Sequence, residues 1–237
     1  MIGIICAEPE EIEAIVSYMG DIKKNKINSF EFIEGKLENS ECVLALSGVG
    51  KVNAAICAQT LILKYNPKFI LNIGVAGGID NNLKIGDIVI GENAVEHDFD
   101  VSVFPNRKKG QIPGFSDAKI PCTPWITELL IKCANEIPSI KKRSGTILTG
   151  DQFINSPDKI SELKKEFGGI ACEMEAGSIA QVCSVNNIEF GIIKSISDLA
   201  NQNSHVDFHA FIKEASQKAG LLLLKFIKSY QDLYPQT

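Results

Sequence analysis

Short apolar runs alternate with amphipathic segments along this chain, and this alternation most constrains its fold. β-branched residues are frequent in the runs, and Gly, Pro or charged residues bound them, as is typical of buried strands. The alternation predicts an α/β domain with helices flanking a central mixed, twisted sheet. The predicted strands are 2–6, 31–36, 41–47, 69–74, 86–96, 144–149 and 189–196, and the predicted helices are 9–19, 51–65, 123–138, 157–168, 174–187 and 208–231.

Size and charge narrow the class of protein. The chain has 237 residues, of which 45% are hydrophobic, so one domain over residues 1–237 can bury a sizeable core. The formal net charge of −5 gives no electrostatic reason to expect nucleic acid as a partner. No apolar stretch approaches the roughly 18 residues of a membrane span. Met1 leads almost at once into the first strand, so we expect neither a signal peptide nor a membrane partner.

The seven cysteines are dispersed and odd in number, and no C-x-x-C pair occurs. This pattern indicates neither a disulfide framework nor a zinc site. The three histidines are too few and too separated for a convincing metal centre. Cys172, beside two glutamates, could be a nucleophile, although buried thiols that merely pack are commoner. We therefore expect a cytoplasmic protein without metal or other cofactor.

Small or acidic residues follow several predicted strands. They occur in CAEPEE (6–11), LNIGVAGG (71–78), ILTGDQFI (147–154), ACEMEA (171–176) and IIKSISD (192–198). In open α/β sheets, ligands bind beyond the carboxyl ends of the strands, so these segments are expected to form one pocket. The first segment also fits an ordinary helix start, because proline and acidic residues suit a first turn. Segment 98–122 is the least regular part and is expected to be a lid or a subunit contact.

Several motifs together resemble one known family. They are IGIICAEPEEI, SGVGKVNAA, NIGVAGG, GDIVI, HDFDV, GQIPG, GDQFI, CEMEAGSIAQVC and SISDLA, spread over residues 1 to 230. In order and spacing they resemble the 5′-methylthioadenosine/S-adenosylhomocysteine nucleosidases of the nucleoside phosphorylase/hydrolase superfamily. The resemblance implies a single-domain fold of that superfamily. It also implies hydrolysis of the N-glycosidic bond of both nucleosides, giving adenine and the 5-thioribose product.

The resemblance assigns the catalytic roles to two carboxyl groups. Adenine leaves poorly as an anion, so an acid must protonate its imidazole ring as the bond breaks. A carboxylate must activate water on the opposite face of the oxocarbenium-like sugar. Asp198 matches the family's acid, and Glu11 matches its base.

The resemblance also assigns the substrate contacts. Glu175 is expected to hold the ribose hydroxyls, Met174 to pack on the sugar, and Phe153 to stack on adenine. The remaining binding residues are the backbone of Ile154, the purine-side Ser197, and Gly77, where the chain approaches the substrate. The apolar 5′ pocket is expected to comprise Val49, Phe208 and, from the neighbouring subunit of a homodimer, Val101, Phe104 and Pro113 of loop 98–122.

Three positions depart from the family pattern. Val75 replaces a serine near the ribose and water site, and Lys194 replaces an arginine that helps to position the water. Both remain predicted site residues. Glu8 stands where a methionine is often found beside the 5′ substituent. Glu173 is interpreted as structural, orienting a backbone turn.

Alternatives to this nucleosidase remain open. Phosphorolysis is disfavoured, because related bacterial phosphorylases carry an arginine at the position of Glu11, and a carboxylate there repels phosphate. A related purine nucleoside, of the futalosine type with a bulky 5′ group, is a second candidate substrate. A catalytically retired nucleoside-binding protein of the same fold is a third reading.

Overall fold

The computed structural model describes residues 1–201 and 204–234, which form one sheet surrounded by helices. The strands are β1 (Ile2–Cys6), β2 (Gly20–Ile27), β3 (Phe30–Leu37), β4 (Ser40–Leu46), β5 (Phe69–Gly78), β6 (Ile88–Glu96), β7 (Ile120–Pro121), β8 (Lys142–Thr149), β9 (Ala171–Glu173) and β10 (Glu189–Asp198). The helices are α1 (Pro9–Val16), α2 (Lys51–Tyr65), α3 (Pro124–Asn135), α4 (Pro157–Phe167), α5 (Ala176–Val185) and α6 (Ser204–Leu233). The predicted mixed α/β fold is confirmed.

The sheet combines parallel and antiparallel pairs in the order β10-β6-β8-β9-β5-β1-β4-β3-β2. Strand β1 runs parallel to both β4 and β5, while β2, β3 and β4 form an antiparallel meander. Strand β10 also pairs with β5, so one half of the sheet closes on itself. The carboxyl ends of β1, β5 and β10 therefore meet at one edge.

Two buried layers hold the helices on the sheet. One layer includes Ile15 of α1, Leu130 of α3 and Leu223 of α6. The other contains Cys57 of α2 and Ile179 of α5. No helix in the described ranges is both long and apolar enough to cross a membrane.

Several predicted boundaries were wrong. Helix α1 ends at Val16, and strand β2 follows it, although no strand was predicted there. Its sequence, GDIKKNKI, is mostly exposed at the sheet edge and lacks an apolar face that would reveal it. Strand β5 continues to Gly78 instead of ending at residue 74, because it pairs with both β9 and β10. Helix α6 begins at Ser204, before the predicted 208.

Candidate active site

A cavity of about 280 Å³ lies where β1, β5, β9 and β10 end. Eleven of the fifteen predicted site residues line it: Glu11, Val49, Val75, Gly77, Phe153, Ile154, Met174, Glu175, Ser197, Asp198 and Phe208. The strand ends that were expected to converge from the sequence thus do converge. The geometry of its carboxyl groups decides what this cavity can do.

Glu11 turns its carboxylate back from α1 to the sheet edge and is only 4% exposed. Its Oε2 accepts hydrogen bonds from the backbone N–H groups of Ala7 (2.8 Å) and Glu8 (3.0 Å), and Oε1 accepts one from Val75 N–H (2.8 Å). Burial raises the pKa of Glu11, while nearby Lys194 and these N–H groups oppose that increase. The result is a fixed carboxylate that is more basic than an exposed one.

Asp198 ends β10 and is 2% exposed. Its Oδ1 accepts a hydrogen bond from Ala200 N–H (2.8 Å), and its Oδ2 accepts one from the Ser197 hydroxyl (3.0 Å). Burial raises the pKa of Asp198, and the Ala200 N–H partly offsets this. Gly77 brings the β5 backbone so near that a Cβ there would lie 3.1 Å from Oδ1.

Glu173 holds the turn between β9 and α5. Its carboxylate accepts hydrogen bonds from the backbone N–H groups of Glu175 (3.1 Å) and Ala176 (2.9 Å) and from the Thr149 hydroxyl. Lys194 Nζ lies 2.9 Å from Glu173 Oε2, and both residues are buried. The structure thus agrees with the interpretation that Glu173 orients a backbone turn.

Glu175 points into the cavity from the start of α5. Its Oε1 accepts a hydrogen bond from Gly50 N–H (2.8 Å), which comes from the start of α2. Burial and the neighbouring charge of Glu173 raise the pKa of Glu175 to about 8, although Lys194 acts in the opposite direction. Glu175 therefore has a side chain that can bind hydroxyl groups in either protonation state.

Four predicted site residues lie outside this cavity. Lys194 is 1% exposed and lies behind Glu173. Its positive charge therefore affects the cavity through the carboxyl groups near it. Val101, Phe104 and Pro113 lie on the exposed loop after β6, away from the lining of their own chain's cavity. For these three residues the prediction requires a second subunit.

Cys172 lines the cavity but does not suit a nucleophile. Burial raises the pKa of its thiol strongly, and the nearby carboxyl groups of Asp198 and Glu173 raise it further. The thiolate is the nucleophilic form, and this environment disfavours it.

Gln152, His205 and His209 line the cavity but were missed as site residues. The histidines were weighed only as metal ligands. The sequence did contain a signal for the histidines. His205 and His209 are four residues apart on α6, which places them on one helix face with the predicted site residue Phe208.

Comparison with known proteins identifies the family. A family model described as the phosphorylase superfamily matches residues 1–228. The chain belongs to this superfamily. It is 36% identical over 228 residues to the 5′-methylthioadenosine/S-adenosylhomocysteine nucleosidase of Bacillus subtilis, covering 96% of this chain and 98% of that protein. This relative confirms the family predicted from the motifs.

Solved structures of the superfamily share the fold. The nucleosidase of Neisseria meningitidis, in complex with methylthio-immucillin-A, has a TM-score of 0.93 and 34% identity, covering 96% of this chain and 98% of that one. A futalosine hydrolase of Helicobacter pylori has a TM-score of 0.91 and 32% identity, covering 96% and 97%.

Gly74 of this superfamily member leaves the space that Glu11 occupies. A Cβ at position 74 would collide with the Glu11 carboxylate. We expect Gly74→Ala to displace that carboxylate and to lower kcat for nucleoside cleavage by about 10-fold to 100-fold, since small displacements at a reacting centre have such effects. Steady-state kinetics with Gly20→Ala as control tests this, because a Cβ at position 20 meets nothing. Equal kinetics for the two variants would contradict it.

The positive charge of Lys194 compensates the negative charges of the buried carboxylates. Burial alone would lower its pKa, but Glu173, Glu175 and Glu11 outweigh burial and raise it. We expect Lys194→Met to lower the free energy of unfolding at neutral pH by about 3–5 kcal/mol, because the carboxylates lose their cation. Urea unfolding measures this loss, which should shrink toward pH 5 as carboxylates protonate. Lys194→Arg, which keeps the charge, should lose less; a loss as large as that of Met would contradict a charge effect.

Proposed function

We propose that this protein hydrolyses the N-glycosidic bond of 5′-methylthioadenosine and S-adenosylhomocysteine, releasing adenine and a 5-thioribose sugar, without a cofactor. The observation that carries this proposal is that two buried carboxyl groups of raised pKa, Glu11 and Asp198, line one cavity from different elements. An inverting glycosidic hydrolysis needs such a pair, one group acting as acid and the other as base.

Asp198 is the proposed general acid. Its Oδ1 is engaged by a backbone N–H, so Oδ2 is the oxygen that carries the proton. The Ser197 hydroxyl beside Oδ2 can turn toward Ala76 O, 3.4 Å away, when that oxygen is protonated. Transfer of this proton to the imidazole ring of adenine makes the base a neutral leaving group.

Glu11 is the proposed general base. Three backbone N–H groups hold its carboxylate at the sheet edge, so it is oriented before substrate binds. It removes a proton from water as the water attacks the sugar carbon from which adenine departs. Its raised pKa improves proton abstraction, and Lys194 keeps the ionised form accessible.

The other lining residues fit a thionucleoside. Phe153 is 45% exposed and offers a ring face on which adenine can stack. Phe208 meets that ring edge-on, with 5.9 Å between centroids, and Ile154 and Ser197 lie at the proposed purine end. Glu175 is proposed to bind the ribose hydroxyls and Met174 to pack on the sugar, since both line the cavity.

Water, and not phosphate, is the proposed nucleophile. Among the described residues, no arginine or lysine lines the cavity, whereas Glu8, Glu11, Glu173 and Glu175 do. A phosphate dianion needs cationic or amide donors, and these carboxylates would repel it. The side chain of Val75, which replaces the serine of the family pattern, has no hydrogen-bond donor for phosphate.

The experiment is adenine release from 5′-methylthioadenosine with and without phosphate. We expect the rate to be independent of phosphate and the product to be the free sugar. Phosphate-dependent release of a sugar phosphate would contradict hydrolysis. Binding without turnover would support the retired binder, although a binder has no use for an acid and base together.

A futalosine-type nucleoside is the second candidate substrate, favoured by the structural likeness to a futalosine hydrolase. Release of the purine base from each nucleoside, measured in parallel, separates the two candidates. Glu8 on the cavity wall disfavours an acidic 5′ substituent, so we expect methylthioadenosine to be the better substrate.

We further propose a cytoplasmic homodimer in which loop 98–122 completes the neighbouring site. Val103 is 86% and Phe104 62% exposed on this loop, and Val52 and Ile56 form an exposed apolar stripe on α2 near Val49. Apolar side chains so exposed are typical of interfaces. The seven cysteines are free and buried, as suits a reducing compartment.

The loop residue Phe104 provides a test of this dimer. We expect Phe104→Asp to raise KM for 5′-methylthioadenosine at least about 10-fold, because a charge replaces an apolar wall of the neighbouring 5′ pocket. Sedimentation velocity reports the oligomeric state, and Lys109→Asp is a control on the same exposed loop. A monomeric wild-type protein with an unchanged KM in the variant would contradict the proposal.

A further inference from the structure

One wall of the candidate cavity carries ionisable groups that cleavage of a methylthio nucleoside does not require. Glu8, His205 and His209 line the cavity in addition to the carboxyl groups already described. An apolar methylthio group gains nothing from such neighbours, and burying it against them costs their hydration. Their position calls for a substituent that is itself charged.

The three residues come from two elements that meet beside Glu11. Glu8 precedes α1, three residues before the proposed base. His205 and His209 lie one helical turn apart in the first turns of α6, on the same face as Phe208. The Phe208 ring packs edge-on against Phe153, and its centroid also lies 5.5 Å from that of the His209 ring. Packing of Phe208 therefore fixes the part of α6 that carries the two histidines. Together with Glu8 they form what we call the rim of the cavity.

Charge is distributed unevenly over this rim. Burial and the carboxylates of Glu11 and Glu10 raise the pKa of Glu8, whereas His209 acts in the opposite direction and favours the carboxylate form. His209 is thus near enough for its charge to affect Glu8. The rim offers one acceptor of strong hydrogen bonds and two imidazoles that donate even when neutral.

We propose that Glu8, His205 and His209 bind the amino-acid end of a 5′-thio substituent, and that the chain therefore favours S-adenosylhomocysteine over 5′-methylthioadenosine. Glu8 binds the α-ammonium group, and the imidazoles bind the α-carboxylate. This inference rests on the proposed nucleosidase function. A substituent with a carboxylate alone satisfies the histidines but meets repulsion from Glu8, so a zwitterion fits the rim better than an anion.

The test compares binding of the two nucleosides in a variant whose expected turnover is slow enough for Kd to be measured. Asp198→Asn serves as background, and calorimetry gives the ratio of the two Kd values with and without the added change Glu8→Gln. We expect Glu8→Gln to reduce the preference for S-adenosylhomocysteine about 10-fold or more, since a hydrogen bond to a charged group has about this effect. Glu10→Gln is the matched control, because it removes a neighbouring carboxylate that does not line the cavity.

Two further nucleosides separate the ends of the substituent. With a 5′-thio chain that ends in an amine alone, Glu8→Gln should weaken binding, and His209→Gln should not. With a chain that ends in a carboxylate alone, His209→Gln should weaken binding, and Glu8→Gln should strengthen it. An unchanged Kd ratio in Glu8→Gln would overturn the inference.

The proposed function and this inference fail separately. If the wild-type protein cleaves neither nucleoside but the Kd ratio responds to Glu8→Gln, the nucleosidase proposal fails and the rim proposal stands. If it cleaves both nucleosides and the ratio does not respond to Glu8→Gln, the rim proposal alone fails.

Discussion

Asp198→Asn is expected to lower kcat for adenine release by about 10²-fold to 10⁴-fold, which is the range for loss of a general acid. Asparagine has the shape of aspartate and can keep the hydrogen bond from Ala200 N–H, but it has no proton to transfer to adenine. Nucleoside binding should persist, because the stacking and ribose contacts are untouched. Single-turnover rates together with Kd separate these two effects.

The pH dependence provides a second readout for Asp198. Burial raises its pKa above the ordinary value, so the acid form persists further toward neutral pH and is lost as the pH rises through that raised value. Wild-type kcat/KM should therefore fall on the alkaline side, and the residual activity of Asp198→Asn should lack this limb. Asp207→Asn is the control, because Asp207 lies near Asp198 but does not line the cavity. Full activity of Asp198→Asn would contradict the assignment.

The sequence predicted the parts of this site that strand order determines. Glu11, Glu175 and Asp198 follow buried strands or begin helices, and parallel strands bring such positions to one edge. The apolar residues next to these three positions allowed the strands to be predicted, and the family motifs indicated the roles of the three residues. Burial of all three carboxyl groups could not be deduced, since it depends on which helices cover that edge.

Features set by tertiary contacts could not be predicted. Lys194 was expected near the water, yet its ammonium group pairs with the buried Glu173 carboxylate, a contact between β10 and β9 that the sequence does not reveal. Strand β2 could not be predicted from the sequence pattern, because its pairing with β3 does not require an apolar face. His205 was not placed on α6, because this helix begins earlier than its apolar pattern suggested.

The environment of Glu11 differs from that of an ordinary glutamate at a helix start. A glutamate that only favours the helix dipole would stay in solvent near the first turn, as the exposed Glu13 does two residues further along the chain. Glu11 instead leaves solvent and accepts N–H groups from both the β1–α1 junction and β5. It thus joins two strand ends at the point where the sugar is proposed to bind.

Glu11→Gln is therefore expected to reduce kcat by about 10²-fold to 10⁴-fold. The amide cannot take a proton from water, and its NH₂ group must replace one carboxylate oxygen that now accepts backbone N–H groups. Either Val75 N–H or the pair from Ala7 and Glu8 then loses its acceptor. Thermal unfolding measures any structural cost, and Glu13→Gln on the exposed face of α1 is the matched control.

Measuring both Kd and kcat separates the two consequences of Glu11→Gln, which are the loss of the base and a loss of structure. A loss of structure would weaken nucleoside binding together with kcat, whereas loss of the base lowers kcat and leaves Kd nearly unchanged. Azide or formate added to the variant should restore part of the rate, because a small anion can occupy the place of the base or of the nucleophile. A variant that releases adenine at the wild-type rate would remove Glu11 from the mechanism. Among the residues described, no other lining carboxylate is fixed by N–H groups from the β1–α1 junction and from β5.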